Sequence, residues 1–223
     1  MAEKKKILYV VEAMGGGVFT YIVELAKQLQ YKIMLQSNGR AFAKADFAEH
    51  LDAYRGLINF CIALHGPNAE IHDRITQRSG SYAETIQGLQ NIHKMGFHFG
   101  GKIVISRQNF QVLLAIAEKF ALLHASSVDI AFPHAQGRAS KMWEQVVPRY
   151  KEISSQVKQA AQYLLNKKIA ALFETINDDR YAGFYDLPAN IRRCLYLLRQ
   201  ESCCRRHRLY RYSKLPIRDL NKR

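Results

Sequence analysis

No stretch of the chain reaches the roughly 18 consecutive apolar residues that a membrane-spanning helix needs. The opening "MAEKKKILYVVEAMGGG" imitates a signal peptide, with lysines ahead of apolar residues, but Glu12 cuts the apolar run short. The expectation is a soluble, cytoplasmic protein. Cysteine is scarce, four in 223 residues. Without an export signal, that argues against a disulfide scaffold. There is no GxGxxG, no Walker loop, no internal repeat and no low-complexity linker. Paired zinc-ligand spacing is missing too. Cys194, the adjacent Cys203 and Cys204, and His207 do not form two separated pairs, and neighbouring cysteines chelate poorly.

What is present is enough for one sizeable core, with 48% hydrophobic residues in 223. Six short β-rich runs alternate with helix-length segments. The runs are Lys6–Glu12, Lys32–Ser37, Ile58–His65, Lys102–Arg107, Val128–Pro133 and Ala170–Ile176. "ILYVV", "FCIAL" and "KIVIS" are continuous apolar stretches, which is how strands covered on both faces read. Helices are expected at Val18–Gln30, Ala43–Tyr54, Tyr82–Met95, Phe110–His124 and Lys141–Lys168. In the fourth, Val112, Leu113, Ile116, Phe120 and Leu123 recur at helical spacing. This rhythm predicts an α/β fold of parallel βα repeats, open or partly closed into a barrel. Ligands of such folds bind at the carboxyl ends of the strands.

The net charge of +14 is unevenly placed. Residues 177–223 hold 12 Lys and Arg against 5 Asp and Glu, which is half of the excess. No strand rhythm continues there, and the segment reads as a separate, basic, irregular tail that stays disordered. Its "RRHRLYRYSK" interleaves arginine with tyrosine, a pattern suited to phosphate contact and base stacking. No RNA-binding motif frames it, so a nucleic-acid partner is the less favoured reading.

Three strand-end loops carry candidate chemistry. After the first strand come Gly15, Gly16 and Gly17, then a helix. They form either a tight turn or a loop offering helix N–H groups to a phosphate. After the second come Ser37, Asn38 and Gly39, an Asx-type turn in which Asn38 can also point inward. After the third, His65-Gly66 leads into "PNAEIHDRIT", read as a loop, in which His72 and Asp73 could pair. Ser81 and Glu84 then read as a capping box opening the next helix.

The first 30 residues, with "KILYVVEAMGGGVFTYIVELA", resemble the opening of two-Rossmann-domain glycosyltransferases. That resemblance implies a nucleotide-sugar or acceptor contact through Gly15–Gly17. Residues 31–176 instead resemble the middle and later strands of radical S-adenosylmethionine enzymes. The segments that carry this are "LQSNGRAFAKADFAEHL", "FCIALHGPNAEIHDRITQRSGSYAETIQGLQNI", "KIVISRQNFQVLLAIAEKFA" and "VDIAFPHAQGRA". The family resemblance implies a partial six-stranded βα barrel holding S-adenosylmethionine and a [4Fe–4S] cluster, and acting on a small-molecule or peptide substrate. It places Asn38, His65, Ser106 and Asn109 on the rim near nucleoside or substrate. Two departures accompany it. Ala63-Leu64-His65 stands where members carry Ser-x-Asp against the ribose. The loop after the first strand, "EAMGGGVFTY", holds none of the three cysteines that ligate the cluster. The expectation is therefore a truncated or chimeric relative, divided at about residues 30 and 176, that does not bind the cluster.

Overall fold

The structure, a computed structural model, describes residues 6–11, 17–44, 51–133 and 141–174. Six strands alternate with helices: β1 Lys6–Val11, α1 Gly17–Gln28, β2 Tyr31–Ser37, β3 Ile58–Ala63, α2 Ala69–Thr76, α3 Ser81–Lys94, β4 Phe99–Val104, α4 Leu113–Leu122, β5 Ser127–Ala131, α5 Trp143–Val146, α6 Tyr150–Asn166 and β6 Ala170–Glu174. Every strand pairs parallel with the next, giving one sheet in the order β1-β2-β3-β4-β5-β6. Parallel crossovers are right-handed. A strand order that never reverses therefore sends every crossover helix to the same face, the arrangement of a partial βα barrel.

The burial pattern shows this one-sidedness. In β3, Ile58, Phe60 and Ile62 are buried, while Asn59, Cys61 and Ala63 between them are only half-buried. β4 repeats the pattern, with Phe99, Gly101 and Ile103 alternating with Gly100, Lys102 and Val104. The buried set faces the helices. A Cβ on Gly101 would fall 2.5 Å from the Phe120 ring of α4. The continuous apolar runs therefore do not mean coverage on both faces. One face packs into the core and the other is left partly open.

That core gathers Ile33, Leu35, Phe60, Ile62, Phe99 and Ile103 from the strands. From the helices and connecting turns come Leu89, Ile92, Ile116, Phe120, Ile153 and Leu164. Phe42 meets Phe60 edge-on at 5.2 Å between centroids, and Phe60 meets Phe97 at 5.3 Å. Such edge-to-face pairs are each worth about 0.5–1.5 kcal/mol beyond the area they bury.

Several expected elements are revised. "AEIHDRIT" is a helix, not a loop, and it has a signal of its own, since the Asn68 side chain accepts from the Ile71 N–H at 3.1 Å as an N-cap. β4 starts at Phe99, three residues before the expected Lys102. The expected helix 141–168 is two, α5 and α6, because Val147 is extended ahead of Pro148, as a residue before proline prefers. Of the expected helix Ala43–Tyr54, residues 45–50 lie outside the described part, and the flanks are short 3-10 turns at Arg40–Ala43 and Asp52–Tyr54. The basic tail, with Cys194, Cys203, Cys204 and His207, also lies outside it.

Candidate functional site

The parallel order places the carboxyl ends of all six strands along one edge of the sheet. Asn38 follows β2, where its Oδ1 accepts from the Arg40 N–H and Ser37 Oγ accepts from the Gly39 N–H, both at 3.1 Å. Gly39 has φ +79°, a conformation that favours glycine, so the Asx-type turn is present. The Asn38 side chain is exposed, and the Asn38 backbone carbonyl accepts from Thr85 Oγ1 of α3 at 3.0 Å. Gly39 and α3 meet so closely that a Cβ on Gly88 would fall 2.1 Å from the Gly39 carbonyl oxygen.

The next two loop tips are tied together. The His65 N–H donates to His72 Nδ1 at 3.1 Å, and the His65 carbonyl accepts from Asn109 Nδ2 at 3.1 Å. Asn109, 1% exposed, also donates to the Val104 carbonyl at 3.0 Å. Its Oδ1 accepts from the Ser106 N–H at 2.7 Å and from Ser106 Oγ at 3.2 Å. Both amide hydrogens and both lone pairs are thus used inside the protein. Asn109 fastens the ends of β3 and β4 to each other, and the half-buried His65 and Ser106 are what remain at the rim.

His72 and Asp73 do not work as a catalytic pair. His72 is buried against the His65 and Tyr82 rings, with centroids 5.5 and 5.8 Å away. Burial first, then the neighbouring His65, lowers its pKa from 6.5 to about 4. It is neutral at pH 7, and Nδ1, as an acceptor, leaves the proton on Nε2. Burial lowers the His65 pKa as well. Asp73 turns to α3, accepting from the Gly80 N–H at 2.7 Å, Ser81 Oγ at 2.8 Å and the Tyr82 N–H at 2.7 Å.

The capping-box reading of Ser81 and Glu84 is thereby overturned. Gly80 is the N-cap residue and Ser81 already lies in the helix. Asp73, arriving from α2, supplies the side-chain acceptor. Glu84 is instead the counter-ion of Arg40, bonded through Arg40 Nε, with Arg78 3.7 Å away. The Arg40 hydrogen bond is the main cause of its lowered pKa.

Gly17 begins α1, while Gly15 and Gly16 lie outside the described residues. Among the described residues no group of three or more His, Cys, Asp or Glu is placed to hold a metal ion. Cys61 is the one described cysteine, half-buried within β3. An iron–sulfur cluster of the resembled family needs three thiolates, so the described residues do not fit one. No described helix is long and apolar enough to cross a membrane.

Sequence reasoning overlooked one charged pair. Lys102 of β4 and Asp129 of β5 are register partners, with Nζ 3.4 Å from Oδ2. Both alternate with buried residues, so they occupy the face turned away from the helices. A charge inside each of two apolar strands, at the parity opposite to Ile103 and Ile130, was the available signal.

Six parallel strands in unbroken order define a half-open βα barrel. Comparison with known proteins narrows this. No protein-family profile matches the chain. In sequence it is similar to the AdoMet-dependent heme synthase of Oleidesulfovibrio alaskensis, 23% identical over 134 residues. That match covers 59% of this chain and 34% of the relative. In fold it is similar to Streptococcus suis SuiB bound to S-adenosylmethionine, with TM-score 0.62 and 11% identity, over 82% of this chain and 42% of SuiB. A domain of pyruvate-formate lyase-activating enzyme from Bacteroides vulgatus aligns with TM-score 0.54 and 13% identity, over 74% of this chain and 98% of that one. The chain thus spans about a third of the curated relative it matches and less than half of SuiB. These likenesses concern the fold, and none of them favours the glycosyltransferase or the nucleic-acid reading.

Proposed function

We propose that this chain is a βα-barrel portion of radical S-adenosylmethionine type that binds an S-adenosyl nucleoside at the carboxyl edge of the sheet. We further propose that it does not hold the [4Fe–4S] cluster. One coincidence carries the reading. The sequence is similar to an enzyme named for its dependence on AdoMet, and the fold is similar to SuiB, whose structure holds S-adenosylmethionine. The rim supports it chemically. Asn38 is exposed, and His65 and Ser106 are half-buried hydrogen-bonding groups held at fixed spacing by Asn109 and His72. Such groups suit ribose hydroxyls and base edges, and none of them is an activated nucleophile.

Radical chemistry of the resembled family would need a cluster held by thiolates. Cysteine is absent from residues 12–20 in the sequence, and Cys61 is the one cysteine among the described residues. The proposed activity is therefore binding, with a small-molecule or peptide partner. SuiB has been solved with the precursor peptide SuiA, and anSMEcpe with the Kp18Cys peptide. Calorimetry tests the binding, and a measurable heat with S-adenosylmethionine is the expected result. No heat at millimolar ligand refutes it. Anaerobic reconstitution with iron and sulfide tests the second part, and one stoichiometric cluster per chain, read from iron content and visible absorbance, overturns it.

A further inference from the structure

The parallel order that gathers the carboxyl ends of the strands on one edge gathers their amino ends, with the last turns of the helices, on the other. That amino edge differs from the first in charge. Lys27 lies in the last turn of α1, Lys32 near the start of β2 and Lys94 at the end of α3, while Lys167 and Lys168 lead from α6 into β6. All five are exposed. Among the described residues, the turns and last helical turns on this edge hold one carboxylate, Asp52, and Arg55 pairs with it. At the carboxyl edge the arginines are matched instead: Arg40 and Arg78 share Glu84, and Arg107 meets Glu152.

The carbonyl end of a helix favours a cation, so a basic residue in a last turn is expected of folding alone. Folding alone does not call for large apolar side chains in water among them. Leu29, the residue after α1, is 51% exposed, and Leu122, which ends α4, is 72% exposed. Neighbouring strands lie about 4.8 Å apart, so the stretch from β2 to β6 spreads these groups over roughly 20 Å, a surface rather than a pocket. We propose that the amino edge is a docking surface for an anionic phospholipid bilayer, with the lysines on lipid headgroups and Leu29 and Leu122 at the acyl boundary. Lysines with apolar side chains between them suit a bilayer interface, where charge attraction and apolar burial add. A nucleic-acid backbone would engage the lysines equally but offers nothing to the leucines. No described helix is long and apolar enough to span a bilayer, and surface docking needs none. The inference is independent of the nucleoside proposed for the opposite edge.

Sedimentation of the full chain with vesicles tests this, using mixed phosphatidylserine and phosphatidylcholine against phosphatidylcholine alone. The expected result is binding to the anionic vesicles and not to the neutral ones. Lys94→Gln/Lys168→Gln should weaken that binding at least about tenfold, since one basic residue near an anionic surface is worth about fivefold. Leu29→Ser/Leu122→Ser should weaken it several-fold and leave retention on single-stranded RNA unchanged. Lys151→Gln, exposed at the start of α6 on the opposite edge, should bind as the unaltered chain does. All of these positions are exposed, so wild-type circular dichroism is expected throughout. Every variant keeps the basic residues 177–223, so vesicle binding carried by that segment would survive in all of them. Binding unchanged by either pair of substitutions therefore overturns the proposal, as does equal loss in Lys151→Gln. Weakening by the lysine pair alone, matched by weaker retention on RNA, makes the edge a nucleic-acid surface and overturns the lipid assignment. No sedimentation with anionic vesicles, or equal sedimentation with neutral ones, refutes it outright.

Discussion

Replacing Asn109 by alanine tests whether one buried side chain holds the rim together. The substitution removes the acceptor of the Ser106 N–H and the donors to the His65 and Val104 carbonyls, at a position 1% exposed. A buried donor left without a partner costs about 1–3 kcal/mol, and each lost hydrogen bond about 1 kcal/mol net. The two carbonyls keep a lone pair for other partners, so the sum is about 2–4 kcal/mol. That is a large fraction of the about 5–15 kcal/mol typical of a domain. Urea unfolding followed by circular dichroism measures it, with an unchanged slope showing that the unfolded state is the same. Asn109→Asp sharpens the test, because a carboxylate there would face two carbonyl oxygens while buried. Both effects raise its folded pKa above the unfolded one. The deficit relative to wild type should therefore be smallest at acid pH and grow as pH rises through the raised pKa. A loss below about 0.5 kcal/mol for Asn109→Ala, the range of exposed substitutions, would refute the reasoning.

The other predictions concern the same edge. His72, with its pKa lowered from 6.5 to about 4, contributes stability that is complete above about 6.5 and is lost as pH falls toward 4. His72→Gln should flatten part of that decline in urea midpoints measured between pH 7 and pH 4, and an unchanged slope contradicts the buried neutral imidazole. Asp73→Ala should lower the urea midpoint by uncapping α3, and the difference should shrink in acid, where the wild-type carboxylate itself becomes protonated. Gly88→Ala should destabilise despite alanine's better helix propensity, since its methyl would meet the Gly39 carbonyl. Overpacking of this kind costs about 1–3 kcal/mol, and an increase in thermal midpoint would show that the two segments are not in contact.

Much of the scaffold was legible because βα alternation is a strong pattern. Tyr31–Ser37 and Ile58–Ala63 overlap the expected strands Lys32–Ser37 and Ile58–His65. Three errors have physical causes. Helix α2 carries few apolar residues, so periodicity was weak, and the Asn68 cap was the better clue. The start of β4 was missed because Gly100 and Gly101 discourage a strand locally, while the Phe120 ring and Ser127 Oγ leave no room for a side chain. Coverage of both faces was inferred from apolar runs, but half-buried Asn59, Cys61 and Lys102 alternate within them. At the rim, the turn at Asn38 could be read locally from its neighbours. The inward commitment of Asn109 depends on His65, 44 residues earlier, and no local pattern reveals such a bond.

The strictly sequential order of the six strands means that each βα unit touches chiefly the units before and after it in the chain. Contacts so close in sequence lower the entropy of closing each loop, and growth from any neighbouring pair can proceed outward without threading. An architecture assembled in this fashion tolerates exchange of its outermost unit. Only one inter-strand seam, that of β1 with β2, must be rebuilt for the remaining five strands to keep their register.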